Sequence, residues 1–330
     1  MYPNCFNYLS AVKILIIRFS SIGDIVLTTP VIRCCKQQLK NAEIHFVTKA
    51  AFKSVLQNNL NVDKLITFEK EITEVYESLK KENYDCVIDL HNNVRSARLK
   101  LILCKKNFTF KKLNVKKWLA VTLKNKKILP PVHIVQRYLH TCESLGIIDD
   151  GKGLDYFISE TEKVNIDLVS SKLNSGFLAL VIGGSYFTKK IPLNKLIEIC
   201  KASKLPVVML GDKTDSDLAK EVLKNTQNAI NVCGKFSLNQ SASIIEQSSL
   251  VVTSDTGLMH IAAAFNKKIF SLWGNTIPEF GMYPYKPHPE SKILEVHNLS
   301  CRPCSKLGYS KCPKSHFKCM NEIEVNKIIP

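Results

Sequence analysis

The chain has 330 residues, 45% of them hydrophobic, and this composition excludes an intrinsically disordered protein. Its formal net charge of +17 favours an anionic partner, which could be nucleic acid, a lipid head group, a nucleotide phosphate or an acidic glycan. It has no run of about 18 apolar residues, and no basic segment precedes its N-terminal apolar run. We therefore expect no transmembrane helix, no signal peptide and a cytoplasmic protein.

In the first half, short apolar runs alternate with segments of helical spacing. The runs at residues 13–19, 42–48, 64–68 and 85–90 have the length and β-branched content of buried strands. Residues 29–41 and 71–84 have the spacing of amphipathic helices. This alternation predicts a parallel sheet covered on both faces by helices.

The first predicted strand leads into a small polar turn, "RFSSIGD". Its one acid, Asp24, lies at the mouth of the strand, where a carboxylate is well placed as a general base. Ser20, Ser21 and Gly23 are small and leave room for an acceptor molecule. Asp24 could equally be the N-cap of the following helix, and the local sequence leaves both interpretations open.

Residues 90–142 contain thirteen Lys or Arg and no Asp or Glu. A solvated basic face is one interpretation, but an unbalanced block of like charge is more typical of an interaction surface. Trp118, Leu119, Val121 and Leu123 are interleaved with the lysines, which favours an amphipathic element lying on an anionic membrane surface.

The second half repeats the alternation of strands and helices without repeating the sequence. Strands are predicted at residues 176–183, 205–210, 229–234, 250–254 and 268–274, and helices at 192–203, 214–225, 237–248 and 256–266. The polar, glycine-containing stretch at 150–175 predicts the join between the halves. We therefore expect an α/β protein of two doubly wound domains, with ligands bound beyond the carboxyl ends of the strands.

One candidate phosphate site follows the predicted strand at 250–254, where Asp255, Thr256 and Gly257 turn into a helix of small residues. The N–H groups at the start of that helix suit a phosphate, Gly257 permits a close approach, and Thr256 can donate a hydroxyl hydrogen bond. His260, on the first helical turn, could face the same ligand. An ordinary helix cap with a core histidine is the alternative.

Two further strand ends in this half have similar chemistry. Gly183, Gly184 and Ser185 leave backbone N–H groups available, with Lys189 within reach of the same phosphate, and Gly211 lies in a third loop, "MLGDKTD". Together the three loops predict a site for a nucleoside diphosphate. The absence of a Walker A sequence, and of G-x-G-x-x-G after a strand, argues against ATP hydrolysis and dinucleotide oxidoreduction.

The motifs "SSIGDIVLTTPVI" and "SDTGLMHIAAAFNKKIFSLWGNTIPEFGMYPY", with "HIVQRYLHTCESLGI" between them, resemble those of glycosyltransferase family 9, the ADP-heptose:lipopolysaccharide heptosyltransferases. The resemblance extends from about Val12 to Met320. It implies a GT-B fold, in which two Rossmann-like doubly wound domains face a cleft. The domain at residues 1–165 would bind the acceptor and the domain at 166–330 the nucleotide sugar.

The resemblance also implies the reaction, which is an inverting transfer of heptose from ADP-heptose to the lipopolysaccharide inner core without a catalytic metal. Asp24 matches the family's proposed base, and Lys189 matches its phosphate-binding lysine. The family's donor-binding turn is matched by Asp255, Thr256, Gly257 and His260.

The acceptor partner implied by the resemblance is the acidic, phosphorylated core of a lipopolysaccharide precursor at the inner membrane surface. Lysines of the basic segment would hold this core, in particular Lys111, Lys112, Lys116 and Lys117. The segment at 107–127 is more basic than is usual in the family.

Four cysteines crowd into the C-terminal tail near His316, namely Cys301, Cys304, Cys312 and Cys319. Four thiolates could make a tetrahedral zinc site, but only the first pair has the usual spacing. Reduced cysteines that pack the tail are the favoured interpretation.

The remaining eight cysteines lie in apolar contexts. We expect them to be free and buried, as for Cys34, Cys35, Cys86, Cys142 and Cys200.

Two other functions compete with glycosyl transfer. A nucleic-acid-binding protein would explain the charge, and Phe108, Phe110 and Trp118 could stack on bases. No recognised nucleic-acid module is present, however, and the two glycine turns would be unexplained. A catalytically silent relative that only binds lipopolysaccharide is the other alternative, and the presence of both Asp24 and Lys189 argues against it.

Overall fold

The computed structural model describes residues 12–325 together with 328 and 329, and the chain divides into two compact units. The first contains residues 12–112 and Val132–Phe157, and the second contains Leu113–Pro131 and the described residues from Ile158 onward. The division falls a little before the expected residue 165. The first unit is also made of two separate stretches of chain rather than one. The stretch between them belongs to the second unit, because Ala120 and Leu129 pack against side chains of that unit.

Eleven α-helices occur in the described residues. In chain order they are α1 (Ile22–Val26), α2 (Thr29–Gln38), α3 (Tyr76–Lys81), α4 (Val94–Leu103), α5 (Asn114–Thr122), α6 (Ile134–His140), α7 (Leu193–Ala202), α8 (Ser216–Leu223), α9 (Leu238–Gln247), α10 (Gly257–Ala264) and α11 (Lys318–Asn321). The helices predicted at α2, α3 and α7 to α10 are confirmed. Within the described part of the chain, no helix is both long and apolar enough to span a bilayer.

The first unit is built on a five-stranded parallel sheet. Its strands are β1 (Lys13–Ile17), β2 (Glu43–Lys49), β3 (Lys64–Phe68), β4 (Cys86–Asp89) and β5 (Lys106–Thr109), in the spatial order β3-β2-β1-β4-β5. The apolar residues of β1 are buried on both faces, as expected for the central strand of a sheet covered by helices. Four of these strands are predicted by the sequence, and β5 is not.

The second unit is built on a six-stranded sheet whose paired strands are also parallel. Its strands are β6 (Leu178–Val181), β7 (Val207–Leu210), β8 (Ala229–Asn231), β9 (Leu250–Ser254), β10 (Ile269–Trp273) and β11 (Lys292–Glu295), in the order β11-β10-β9-β6-β7-β8. Five of these strands are confirmed predictions, and the edge strand β11 is an addition. The α/β class and the two parallel sheets are therefore as the sequence predicts.

Each sheet has one place where the strand order reverses. In the first unit it lies between β1 and β4, and in the second between β6 and β9. Loops that leave these strands diverge to opposite faces of the sheet and leave a crevice at its carboxyl edge, where ligands of such sheets bind. The candidate residues Asp24, Gly183 and Asp255 all lie in loops or turns that follow these strands.

A buried arginine in α2 of the first unit forms ion pairs with two aspartates near the end of that unit. Arg33 in α2 binds both oxygens of Asp150, at 2.7 and 2.9 Å, and lies 2.5 Å from Asp155. The hydrogen bonds from Arg33 lower the pKa of Asp150 to about 2. This pair holds the segment around residue 150 against α2.

The prediction of buried free cysteines outside the tail is confirmed at six positions, including Cys233. It is wrong for Cys104, which is exposed after the end of α4, and Cys5 lies outside the described residues. Cys34, Cys35, Cys86, Cys142 and Cys200 are buried free thiols. Burial raises the pKa of Cys34 to about 11 and that of Cys86 to about 12, so both remain protonated at neutral pH.

Candidate active site

Asp24 lies in the first turn of α1, just beyond the carboxyl end of β1. Its Oδ2 atom accepts hydrogen bonds from the Ser21 hydroxyl at 2.7 Å and from the Ser21 backbone N–H at 3.3 Å. Its Oδ1 atom lies 2.6 Å from Nη2 of Arg18. The side chain is 19% exposed, so the carboxylate supports the helix start and is also open to a ligand. The N-cap residue of α1 is Ser21, and Asp24 is the third helical residue of its capping box, so the N-cap interpretation of Asp24 is wrong. Its role as a general base stays a prediction.

The small residues around Asp24 differ in their accessibility. Ser21 is exposed, Ser20 is half-buried, and the peptide bond between them is cis. Gly23 is buried within α1. Of these three residues, Ser20 and Ser21 are accessible beside Asp24 and Gly23 is not.

Arg18 is the residue that fixes Asp24, and no sequence motif indicated it. Its guanidinium donates to the carbonyl of Ser20 at 2.8 Å, to the carbonyl of Leu90 at 2.7 Å and to the hydroxyl of Tyr138 at 3.0 Å. Leu90 follows β4 and Tyr138 lies in α6, so these bonds join segments that are distant in sequence. Arg18 therefore holds the Asp24 carboxylate in place and adds a fixed positive charge beside it.

A buried carboxylate shapes the loop after β4. Asp89 is fully buried and accepts hydrogen bonds from the N–H groups of His91 at 3.0 Å and Asn92 at 2.7 Å. Its second oxygen lies 3.0 Å from Nζ of Lys100. These bonds direct the loop so that His91 packs on Phe19, with 4.9 Å between the ring centroids. His91 thus lies at the same carboxyl edge as Asp24, on the other strand of the reversal point.

His91 and Lys112 share the electrostatic environment of Arg18. Burial, followed by the positive charges of Arg18 and Lys112, lowers the pKa of His91 to about 4, so its imidazole is neutral at pH 7. Partial burial and the charge of Arg18 likewise lower the pKa of Lys112. Lys112 is one of the residues predicted from the sequence and His91 is not, although the position of His91 two residues after β4 was a usable signal.

In the second unit, Lys189 and Asp255 form an ion pair, although the sequence predicted them from two separate loops. Lys189 Nζ lies 2.6 Å from Asp255 Oδ2, and the two side chains are 17% and 14% exposed. Thr276, which follows β10, donates its hydroxyl hydrogen to the same oxygen at 3.1 Å. A lysine ammonium has three N–H donors, so Lys189 can hold Asp255 and still donate to a phosphate.

The start of α10 has the arrangement expected of a phosphate site. Thr256 is the N-cap residue, and its hydroxyl lies 3.1 Å from the hydroxyl of Thr253. Gly257, the first helical residue, is half-buried, so the backbone N–H groups of this turn lie near the surface. His260 is only 2% exposed, which fits the alternative of a core histidine better than a direct ligand contact.

The glycines of the other two loops have a structural explanation in a buried aspartate. A side-chain carbon on Gly183 would lie 2.7 Å from Asp215 Oδ2, and one on Gly211 would lie 2.8 Å from Asp215 Cβ. The carboxylate of Asp215, 1% exposed, lies 2.6 Å from Nζ of Lys190 and accepts the N–H of Asp212 at 3.0 Å. Gly183 and Gly211 are thus required for space around Asp215.

The next positions of the first of these loops are more open. Gly184 is half-buried, Ser185 is exposed, and a side-chain carbon on Gly184 would meet only ordinary contacts at 3.4 Å or more. These two residues are therefore better placed than Gly183 to present N–H groups to a ligand.

The four predicted acceptor lysines belong to different units. Lys111 and Lys112 end the first segment of the first unit, whereas Lys116 and Lys117 lie in α5 of the second. Lys117 is half-buried, with its ammonium 5.3 Å from the ring centroid of Phe280. The assignment of all four lysines to an acceptor site of the first domain is therefore not supported by the division of the chain, because α5 packs on the second unit.

The four cysteines of the tail lie near one another, and burial together with the charges of the other three thiols raises the pKa of Cys319 to about 12. Cys301 Sγ lies 3.9 Å from Nε2 of His316, and Cys304 donates to the carbonyl of Cys301. Among the described residues, no three ligand atoms from Cys301, Cys304, Cys312, His316 and Cys319 lie within 4.8 Å of one another.

In the described part of the chain, the ligand atoms of Glu43, His45 and Glu82 do lie within 4.8 Å of one another. The ammonium of Lys13 lies 3.2 Å from Glu43 and 3.0 Å from Glu82, and Lys64 also pairs with Glu82. Lysine ammonium groups thus already neutralise both carboxylates. These residues lie at the amino ends of β1 to β4, the edge opposite to Asp24.

The tail segment supports the loops that carry the Lys189–Asp255 pair. Arg302 donates to the carbonyls of Gly274 at 2.6 Å and Thr276 at 2.9 Å, and it pairs with Glu295 at 2.6 Å. Thr276 in turn binds Asp255. The tail therefore positions one side of the ion pair through backbone contacts.

The other side of the pair is held by Tyr309 and Thr188. Tyr309 N–H donates to the hydroxyl of Thr188 at 2.8 Å, and Thr188 N–H donates to the carbonyl of Tyr309 at 3.2 Å. Thr188 precedes Lys189 directly. The cysteine-rich tail thus supports the loops that carry Lys189 and Thr276, which agrees with the structural role that the sequence predicted for it.

The protein has two parallel sheets, and the strand order reverses once in each. One sheet has a carboxylate and cations at its carboxyl edge, and the other has a lysine and the start of a helix. These features define a Rossmann-like α/β protein whose edges suit nucleotides and polar acceptors. A model of glycosyltransferase family 9 (heptosyltransferase) matches residues 72–312. The chain belongs to this family and is a glycosyltransferase. Lys189 and Asp255 lie within the matched region and Asp24 lies before it.

Individual relatives are similar over most of their length. The chain is 30% identical over 289 residues to lipopolysaccharide heptosyltransferase 1 of Campylobacter coli, covering 80% of this chain and 84% of the relative. A family 9 glycosyltransferase structure from Veillonella parvula superimposes with a TM-score of 0.77 at 20% identity, over 98% and 96% of the two chains.

The E. coli ADP-heptose lipopolysaccharide heptosyltransferase II structure gives a TM-score of 0.65 at 21% identity, over 96% and 99% of the two chains. The fold is therefore of the GT-B class, as the resemblance implied. Family membership favours glycosyl transfer over the nucleic-acid-binding alternative.

Proposed function

We propose that this protein transfers heptose from ADP-heptose to the inner core of a lipopolysaccharide precursor, with inversion at the anomeric carbon and without a catalytic metal. The observation that carries the proposal is the chemistry at the two carboxyl edges. An accessible carboxylate, Asp24, lies at the reversal point of one sheet, and the Lys189–Asp255 pair lies beside the start of α10 in the other. The names of the Campylobacter and E. coli relatives support the choice of sugar and acceptor.

In the proposed reaction, Asp24 accepts the proton of an acceptor hydroxyl as its oxygen attacks the anomeric carbon of the donor sugar. The bond between that carbon and the phosphate oxygen breaks with its electron pair, and the nucleoside diphosphate leaves. A single displacement of this kind inverts the configuration. Arg18 holds the Asp24 carboxylate through Oδ1, which positions the base for the attacking hydroxyl.

The leaving diphosphate gathers negative charge, which must be stabilised in the transition state. Lys189 supplies a fixed ammonium, while the N–H groups of Gly184, Ser185 and Gly257 and the Thr256 hydroxyl supply hydrogen-bond donors. Groups that are already oriented stabilise developing charge without reorganisation, and this is usually the largest catalytic contribution. We propose that these donors carry the charge that a metal carries in other transferases.

Cations near Asp24 suit the acidic groups of a lipopolysaccharide core. Lys112 and Arg18 lie close enough to Asp24 for its charge to act on both, and neutral His91 adds a hydrogen-bonding group. Lys111 precedes Lys112 directly in the chain. We propose that this set binds carboxylate or phosphate groups of the acceptor in the first unit.

In this proposal the donor binds the second unit. The protein acts in the cytoplasm, at the surface of the inner membrane. The thirteen basic residues at 90–142 support the membrane location, because an anionic leaflet attracts clustered lysines and arginines.

The experiment that tests this function is a panel of nucleotide sugars, scored by release of the nucleoside diphosphate with and without a Kdo-containing lipid acceptor. The proposal predicts acceptor-dependent release of ADP from ADP-heptose, without loss on addition of a chelator. Release only from another donor would refute the sugar, and no release from any donor would refute the transfer.

A further inference from the structure

Helix α5 is oriented unlike an ordinary amphipathic helix, because its bulky apolar residues face outward. Val115 is 70% exposed and Trp118 57%, and Leu123, the C-cap residue directly after the helix, is 62% exposed. The half-buried Leu119 lies between them on the same face. Residues three and four positions apart share one side of a helix, so these four side chains form a continuous patch. We call Val115, Trp118, Leu119 and Leu123 the outer face of α5.

The inner side of α5 is already satisfied by the second unit. Ala120 is fully buried against Ile277 and Phe280, and Val121 packs beside it. The Lys117 ammonium lies 5.3 Å from the Phe280 ring centroid. The helix therefore already packs on the second unit through its inner side, and the outer face is the opposite side, which that packing leaves exposed.

Exposed apolar side chains are concentrated in this part of the chain. Among the described residues, six of the sixteen exposed large apolar side chains lie at 90–142, namely Val94, Leu101, Val115, Trp118, Leu123 and Val132. This is the same segment that contains thirteen Lys or Arg and no acid. Apolar patches of this kind, rimmed by charge of one sign, mark an interaction surface.

We propose that the outer face of α5 inserts into the interfacial layer of a bilayer rich in anionic lipid. The lysines on either side of this face would then lie at the lipid head groups. The choice of a membrane as the partner rests on the proposed function. Tryptophan and lysine are the side chains typical of this layer. A second copy of the chain fits less well, because two outer faces brought together would also bring their lysines together. An anionic lipid surface supplies the opposite charge.

The chain contains its own reporter for this contact. It has two tryptophans, and Trp273 is only 1% exposed, so a change of tryptophan emission on mixing with vesicles reports Trp118. We expect a blue shift with phosphatidylglycerol-containing vesicles, quenching by brominated lipid, and neither with pure phosphatidylcholine. Raising the salt concentration should weaken binding, since charge attraction contributes to it.

The variant that tests the patch is Val115→Ser with Leu123→Ser, which keeps the reporter. We expect its partition coefficient to fall about tenfold or more, because apolar surface is removed from the membrane contact. The matched control is Leu60→Ser with Leu168→Ser, since these leucines are 81% and 87% exposed outside the segment. The control should bind vesicles as the wild type does, and thermal unfolding should confirm that both variants are folded.

Three results would overturn the proposal. These are no binding of the wild type to phosphatidylglycerol vesicles, an equal loss in the control variant, and sedimentation showing that the outer face instead holds two copies together. Transfer to a water-soluble acceptor without acyl chains separates the two hypotheses. Val115→Ser with Leu123→Ser should retain that activity, whereas vesicle binding by a protein without transferase activity would refute only the proposed function.

Discussion

Two adjacent lysines, Lys189 and Lys190, should have different roles although the sequence does not distinguish them. Lys189 pairs with Asp255 at 2.6 Å, in the loop assigned to the donor phosphates. Lys190 pairs with Asp215 at 2.6 Å, and Asp215 is 1% exposed. We predict that Lys189→Ala weakens nucleotide binding and that Lys190→Ala weakens the fold.

The magnitudes follow from what each substitution leaves behind. A hydrogen bond to a charged phosphate contributes about 1.5–3 kcal/mol, so Lys189→Ala should weaken ADP binding about ten- to hundredfold. Removal of one partner from a buried pair costs about 3–5 kcal/mol. Since Lys190 itself is 28% exposed, we expect a smaller loss of about 2–3 kcal/mol in the free energy of unfolding of Lys190→Ala.

Calorimetric titration with ADP and urea unfolding, applied to both variants, measure the two quantities. The result expected is a crossed pattern, in which each variant is impaired in one measurement and close to wild type in the other. Wild-type ADP affinity in Lys189→Ala, or a loss of affinity in Lys190→Ala as large as in Lys189→Ala, would refute the assignment of the phosphate contact.

Three further predictions concern the support of the site. Arg302→Lys keeps a charge for pairing but loses the planar fork that binds the carbonyls near Thr276, so the donor KM should rise about three- to tenfold with a smaller change in kcat. Gly211→Ala places a carbon 2.8 Å from Asp215 and should lower the free energy of unfolding by about 1–3 kcal/mol. His91 has a pKa of about 4 in the folded protein, against an ordinary value of 6.5. As the pH falls, the unfolded chain therefore binds a proton at this histidine before the folded protein does. The free energy of unfolding should decrease between about pH 6.5 and 4, by about 1–2 kcal/mol after allowance for the partial exposure of His91.

Each of these three has a direct check. For Arg302, initial-rate kinetics with unchanged donor KM would show that the tail does not position the loop. Gly184→Ala is the matched control for Gly211→Ala, since its added carbon meets only contacts of 3.4 Å or more; equal losses in urea unfolding would contradict the packing argument. For His91, the difference between wild type and His91→Gln should vary with pH only in the stated window, and a constant difference would exclude its titration.

The parallel sheets could be predicted because their central strands are encoded locally. "KILII" and "LVVTS" are short, β-branched and buried along nearly their whole length, and such runs between helical segments have few other solutions. The edge strands β5 and β11 could not be predicted in this way. "KNFT" and "KILE" are partly exposed and carry charged residues, so their pairing depends on a neighbouring strand rather than on their own pattern.

Residues of the candidate site could be proposed from the sequence where they follow strands, but not where their role depends on partners that are distant in the chain. Asp24, Lys189 and Asp255 stand just after strands, whose carboxyl ends bind ligands in folds of this kind. Arg18 could not be singled out, because its bonds to Leu90 and Tyr138 span 72 and 120 residues.

Two other differences arise from tertiary packing. Gly183 and Gly211 looked like ligand-binding glycines, but the space that they leave is filled by the carboxylate of Asp215. The lysines of α5 looked like part of the acceptor domain by their position in the chain, but the helix packs on Phe280 of the second unit. In each case the contact that decides the role of the residue is made with a partner far away in the sequence.

Asp24→Asn gives the most direct test of the proposed chemistry, because asparagine keeps the shape of the side chain and cannot accept the proton. General base catalysis contributes about 10²- to 10⁴-fold, so kcat should fall by at least about a hundredfold, while ADP affinity stays at the wild-type value. Asp150→Asn is the control, since Asp150 is also paired with an arginine in the first unit and should affect stability alone. A wild-type kcat in Asp24→Asn, measured by ADP release with saturating acceptor, would contradict the account.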